Sequence, residues 1–145
     1  MISFNFWQKW LVCFGIYIIV FGLALAFFSD FKLFDFVYNN QIDPVFFKDS
    51  LTKETLNFRT WIYGVLGAVL AGWGVFITYI AFYPFKKKEK WAWYCILLGS
   101  TFWIIPDMLF SIKFRVWVNV FSNILLYVLI MIPVIFTYHD FHKKR

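Results

Sequence analysis

Four stretches of this chain, 11–28, 61–82, 91–112 and 117–138, are apolar over close to the length needed to cross a bilayer, and together they hold one charged residue, Asp107. A membrane helix needs about 20 mostly apolar residues, because each residue advances it by about 1.5 Å through a hydrocarbon layer about 30 Å thick. Within one such run only a helix closes its own backbone hydrogen bonds, so helices are predicted rather than strands. With 62% of its residues hydrophobic, the chain exceeds what a soluble domain hides and what a disordered chain carries. The expectation is an all-α protein: an integral membrane antiparallel four-helix bundle, one domain over 1–145, with a short extracytoplasmic helical segment at 29–60 between helices 1 and 2.

Tryptophan and tyrosine favour the membrane interface, where the ring is half wet. One face gathers Trp7, Trp10, Tyr79, Tyr83, Trp91, Trp93, Tyr94 and Tyr138, and the other gathers Tyr38, Trp61, Tyr63 and Trp117; Trp103 is the main exception. An even number of crossings puts both termini on one side. That side holds Lys9, Lys86, Lys87, Lys88, Lys90, Lys143, Lys144 and Arg145, against Lys32, Lys48, Lys53, Arg59, Lys113 and Arg115 on the other. The denser clusters abut helix ends, which predicts cytoplasmic termini and a multi-pass protein of a bacterial inner (plasma) membrane. The net charge of +6 is read as this topological signal rather than as a nucleic-acid surface. Lys9 ahead of an apolar run and the Ala24-Leu25-Ala26 motif resemble a signal peptide, but the run is long for one, so a retained helix is expected. Cys13 and Cys95 lack the spacing of a redox pair or a zinc site and are expected to be buried structural thiols.

In the external segment Phe31, Phe34, Val37 and Tyr38 recur at helical spacing, which predicts a helix lying on the bilayer with its rings down and ending at Asn39-Asn40. Asp43-Pro44 reads as an N-cap and first position of a second short helix, and Thr52 as the cap of the second span. The segment is either a lid over an outward-opening pocket or a connector resting on headgroups.

Lipid supplies no hydrophobic drive between helices, so small residues mark the contacts. Gly64, Ala68 and Gly72 form one stripe on the second span, and Gly67 and Ala71 a second beside it. The short turn around Lys113 to Arg115 makes the third and fourth spans a hairpin, which sets Asp107 level with Asn119 to Asn123. Ser100, Asp107 and Ser111 share one helix face, and Asn119, Asn123 and Tyr127 follow at i, i+4 and i+8 on the other helix. An acid within a membrane is costly, by at least about 2.5 kcal/mol at the centre, so it should face the bundle interior or water. Arg59 and Arg115 are candidate counter-ions. Pro106 and Pro133 should each free a backbone carbonyl and kink their helices.

No histidine lies within a span, which excludes bis-histidine haem ligation in the bundle; His139 and His142 with Asp140 read as a hydrated tail. No metalloprotease, phosphate-loop, dinucleotide or nucleophile-elbow motif is present, and one aspartate is a thin basis for catalysis. No catalytic residue, metal or cofactor is assigned. The run Tyr63-Gly64-Val65-Leu66-Gly67-Ala68-Val69-Leu70-Ala71-Gly72-Trp73-Gly74, with Tyr83-Pro84-Phe85 and Trp91-Ala92-Trp93-Tyr94, resembles uncharacterised small bacterial membrane proteins over roughly half of the chain. The resemblance implies a compact four-helix bundle in an inner membrane and brings no activity with it.

Three functions fit. The first is a non-catalytic membrane protein, an accessory subunit or a binder of a small apolar or cationic ligand, with Asp107, Asn119, Asn123, Ser111, Tyr127, Arg59 and Arg115 at an outward-facing polar site. The second is a small oligomeric transporter using Asp107 as a proton or cation site. The third is a lipid- or quinone-modifying enzyme. Expected partners are membrane lipids and either a protein partner or further copies of the chain, with no nucleic acid.

Overall fold

The computed structural model describes residues 3–48 and 50–142, and among them every regular element is helical. The long helices are α1 (Phe4–Phe28), α4 (Lys53–Ile80), α5 (Lys90–Lys113) and α6 (Trp117–His142); between α1 and α4 lie α2 (Lys32–Phe34), a π-helical turn (Asp35–Asn39) and α3 (Asn40–Phe46). A second π-helical turn, Ala81–Phe85, extends α4. Each long helix is long and apolar enough to cross a membrane.

The helices outrun the apolar stretches that announce them. Helix α1 begins at Phe4 and carries Gln8 and Lys9 within it. The Gln8 side chain is enclosed and donates Nε2 to the Ala81 carbonyl at 3.0 Å, at the start of the second π-helical turn. Helix α4 begins at Lys53, so residues 53–60 belong to it and not to the connecting segment. Its cap is Thr52, whose hydroxyl accepts from the Thr55 amide at 3.3 Å.

Helices α1 and α4 meet backbone to backbone. Gly15 abuts Gly74 and Thr78, and Gly22 abuts Gly67 and Ala71: a Cβ built on Gly22 would lie 2.5 Å from the Ala71 nitrogen and 2.6 Å from the Gly67 carbonyl. Of the two small stripes on α4, the contact uses Gly67 and Ala71, extended to Gly74. A Cβ on Gly72 would meet nothing within 4 Å, one on Gly64 would make only ordinary contact, and Ala68 is exposed. The α4 residues that face α1 are those on the Gly67–Gly74 line, and the first stripe lies a third of a turn away from it.

Helices α5 and α6 pair through Trp93 Nε1, which donates to the Val134 carbonyl at 2.8 Å, and through Thr101, 3.3 Å from the Tyr127 hydroxyl. Helix α6 meets α1 through a Trp7–Phe136 stack and through Trp10, whose Nε1 donates to the Leu129 carbonyl at 2.9 Å. Leu129 precedes Pro133 by four residues, so its carbonyl is the acceptor that the proline leaves free. Trp103 packs on Trp73 with ring centroids 5.1 Å apart, which accounts for a tryptophan so far from a helix end. Cys13 and Cys95 are exposed rather than buried, on helix faces that no neighbour covers.

Both tight turns close with the same device. After α5, Val116 N–H reaches the Ser111 carbonyl and Arg115 N–H the Ile112 carbonyl; after the second π turn, Glu89 N–H reaches Pro84 and Lys88 N–H reaches Phe85. This doubly bonded pattern requires a left-handed residue at the helix exit, and Arg115 (φ 59°) and Lys88 (φ 58°) take it where glycine is usual. Lys88 also pairs with Asp140 at 2.6 Å and sits 4.4 Å above the Phe4 ring, joining the 86–88 turn to the beginning of α1 and the end of α6.

Candidate functional site

Asp107 lies on α5 opposite the first turns of α6. Its Oδ1 accepts from Asn119 Nδ2 at 2.7 Å and from Ser111 Oγ at 3.1 Å, and the same amide reaches Ser111 Oγ at 2.7 Å. Three of the residues singled out from the sequence therefore form one cluster on facing sides of α5 and α6. All the donors are neutral, and among the described residues Asp107 has no ion pair.

The other candidates lie apart from the carboxylate. Asn123, one turn along α6 from Asn119, is 4% exposed, and its Nδ2 has no hydrogen-bond partner among the described residues. Ser100, 1% exposed on α5, likewise leaves its hydroxyl unpartnered. Tyr127 bonds to Thr101 rather than to Asp107. Arg115 occupies the left-handed position of the α5–α6 turn and is exposed, because the turn directs it away from the helix interface.

Arg59 is engaged elsewhere. It donates Nη1 to Asp43 Oδ2, and its Nη2 lies 4.0 Å from Asp35 Oδ1, so its charge is spent on the connecting segment. Around this pair runs a second polar network. Asn39, 1% exposed, donates Nδ2 to Asp35 Oδ1 at 2.7 Å and accepts at Oδ1 from the Tyr63 hydroxyl at 3.0 Å. Thr60 donates to Asp30 at 3.0 Å. Asn39-Asn40 do not end a helix: the chain passes through them in the π turn and into α3, because the Asn39 amide is occupied by these partners and does not compete for its own backbone. Asp43 is not an N-cap, and Pro44 lies inside α3; the pull of Arg59 on Asp43 decides its role.

The connecting segment also reaches the α5–α6 pair. Tyr38 lies 3.4 Å from the Ser122 hydroxyl, and the Phe46 and Phe114 rings are 5.8 Å apart. It thus bridges α4, through Arg59 and Tyr63, to the end of the hairpin that carries Asp107. Phe31 and Phe36 are 61% and 77% exposed, an apolar flank turned away from the rest of the molecule.

At the far end of α6, His142 stacks on Tyr138 at 4.2 Å and lies 3.1 Å from the Tyr94 hydroxyl. Among the described residues no three metal-ligating side chains converge.

Two of these features escaped sequence reasoning for different reasons. The Trp10–Leu129 contact was within reach, since a proline at 133 names the free carbonyl at 129 and a carbonyl packed between helices needs a donor. The Arg59–Asp43–Asp35 network has no such signal, because it depends on how the segment folds back on α4.

The chain matches no known protein family, no characterised relative and no solved structure. The likeness to small bacterial membrane proteins therefore gains no family from these comparisons, and function must be argued from the site.

Proposed function

We propose that the chain is a multi-pass protein of a bacterial inner membrane, an antiparallel four-helix bundle with cytoplasmic termini, and that it binds a small cationic ligand without catalysis at an outward-facing polar site around Asp107. The membrane reading is supported by four apolar helices of which no more than 33% of each apolar window is buried. Residues such as Phe76, Phe102, Leu109 and Phe121 are 65–77% exposed, a surface that water does not tolerate at this extent. Contacts that pair early residues of α1 with late residues of α4 and α6, and early residues of α5 with late residues of α6, support the antiparallel order. The basic residues beside the helix ends support the orientation.

One observation carries the ligand: among the described residues Asp107 is held by two neutral donors and by no cation. Hydrogen bonds from an amide and a hydroxyl steady an anion and leave its charge, which within a bilayer calls for a counter-charge. The unpartnered Asn123 amide and Ser100 hydroxyl, deeper on the same two helices, are polar groups whose satisfaction calls for water or ligand.

The test is thermal unfolding of detergent-purified wild type and Asp107→Asn, titrated with sodium, potassium and tetramethylammonium chloride at constant ionic strength. A ligand at about a hundred times its Kd stabilises by about 2.7 kcal/mol, so a saturable shift with one of these cations is expected in wild type and is absent in Asp107→Asn. Equal responses from both proteins, or none from either, would make Asp107 a structural pin of the α5–α6 hairpin.

A further inference from the structure

A groove of about 390 Å³ runs between the part of α1 nearest the connecting segment and the segment itself, lined by Tyr17, Phe21 and Ala24 on one wall and Leu33, Phe34 and Val37 on the other. Its lining is almost wholly apolar, and it opens sideways beside the exposed Leu33 and Phe36. Its walls offer water almost no hydrogen-bond partner. In a bilayer it faces acyl chains, and an unfilled gap of this size would forfeit the dispersion contacts of both walls. At about 30 Å³ per water, its volume is that of on the order of a dozen solvent molecules, enough for much of one chain and too little for a whole lipid.

One basic residue adjoins the groove lining in the chain. Between Ser29 and Phe47 the segment has one basic residue, Lys32, immediately before the lining residues Leu33 and Phe34. The acids nearby are engaged: Asp30 with Thr60, Asp35 with Asn39, and Asp43 with Arg59. Lys32 has no ion pair among the described residues, and its long stem can carry the ammonium to headgroup level. We infer that the groove is a phospholipid site of the outer leaflet, with one acyl chain between α1 and the segment and the lipid phosphate on Lys32. The inference rests on the membrane reading above and is independent of Asp107.

Native mass spectrometry of protein purified from membranes in detergent and exchanged exhaustively tests it, with Lys32→Gln, Ala24→Phe and Val37→Trp beside wild type and helix content checked by circular dichroism. One phospholipid per chain is expected on wild type. Lys32→Gln should cut its occupancy about fivefold, the loss of one lysine near an anionic group worth about 1 kcal/mol. Ala24→Phe fills the groove from α1 and Val37→Trp from the segment; each should abolish the adduct with helix content intact. A protein that retains no phospholipid, retains a phosphate-free amphiphile, or keeps wild-type occupancy in Lys32→Gln or in both filling variants overturns the site. If the chain stays soluble without detergent, the membrane reading falls with it; a detergent-dependent but lipid-free chain removes the groove alone.

Discussion

Removing the indole N–H of Trp10 should destabilise the protein by more than the ring's packing, because that N–H is the donor to a carbonyl that the chain itself cannot satisfy. Pro133 has no amide hydrogen, so the Leu129 carbonyl four residues earlier loses its ladder partner, and Trp10 Nε1 supplies the bond at 2.9 Å from another helix. Trp10→Phe keeps an aromatic ring and deletes the donor. An orphaned buried acceptor costs about 1–3 kcal/mol, whereas interhelical hydrogen bonds measured in membranes average about 0.6 kcal/mol because a freed group usually finds another partner. Here the bond is partly buried between α1 and α6 and the proline leaves the carbonyl no partner in its own helix, so the expected coupling lies above that average, at about 1–2 kcal/mol. Pro133→Ala isolates it: alanine returns an amide to Leu129, so Trp10→Phe in that background should cost only the packing loss. The assay is reversible unfolding in mixed detergent micelles, followed by far-ultraviolet circular dichroism, on the four proteins of the cycle. Equal costs of Trp10→Phe in both backgrounds would refute the reasoning.

Two further perturbations test the backbone contacts. Gly22→Ala should destabilise by about 1–3 kcal/mol, since its Cβ would sit 2.5 Å from the Ala71 backbone, where no flexible side chain can yield. Gly72→Ala, with open space at the same helix, should be neutral or slightly stabilising, and denaturant titration of both in parallel distinguishes contact from helix propensity. Arg115→Gly should stabilise by about 1 kcal/mol, because Arg115 holds a left-handed conformation with no side-chain hydrogen bond or ion pair among the described residues, and a rise in unfolding midpoint checks it.

What was legible in the sequence was whatever a periodic or additive rule fixes. The four long helices follow from hydropathy alone, and Asp107 falls beside Asn119 by counting outward from one short turn, since a hairpin of known turn length sets the register of both arms. The helix ends were less legible. Gln8 and Lys9 look like a boundary and are not one, because Gln8 finds a carbonyl on another element and can be buried. The choice between two small stripes on α4 depended on α1: Gly15 and Gly22, seven residues apart, match Gly67 and Gly74 at the same spacing, and only that line admits the neighbouring backbone. Arg59, one of two candidate counter-ions of Asp107, lies instead with Asp43 and Asp35 for the same kind of reason. It lies near Asp107 in any linear account of depth, yet Asp43 and Asp35 are brought to it by a π-helical turn that hydropathy does not signal.

These contacts divide the molecule into unequal halves. Helices α1 and α4 touch through backbone along two glycine pairs, whereas α5 and α6 meet through side chains, apolar and aromatic around Trp93, Ile96, Ile130 and Val134 and polar around Asp107. The halves are joined at the end that carries the termini by Trp10–Leu129, Trp7–Phe136 and the Lys88–Asp140 pair, and farther along by the Trp73–Trp103 packing of α4 on α5. At the Asp107 end the connecting segment spans them through one 3.4 Å hydroxyl contact and one pair of phenylalanine rings. The segment is fastened firmly to α4 by Arg59, Asp43, Asn39 and Tyr63 and only lightly to the hairpin. The junction of the segment with the hairpin at Tyr38 and Phe46 is therefore the lighter of its two attachments.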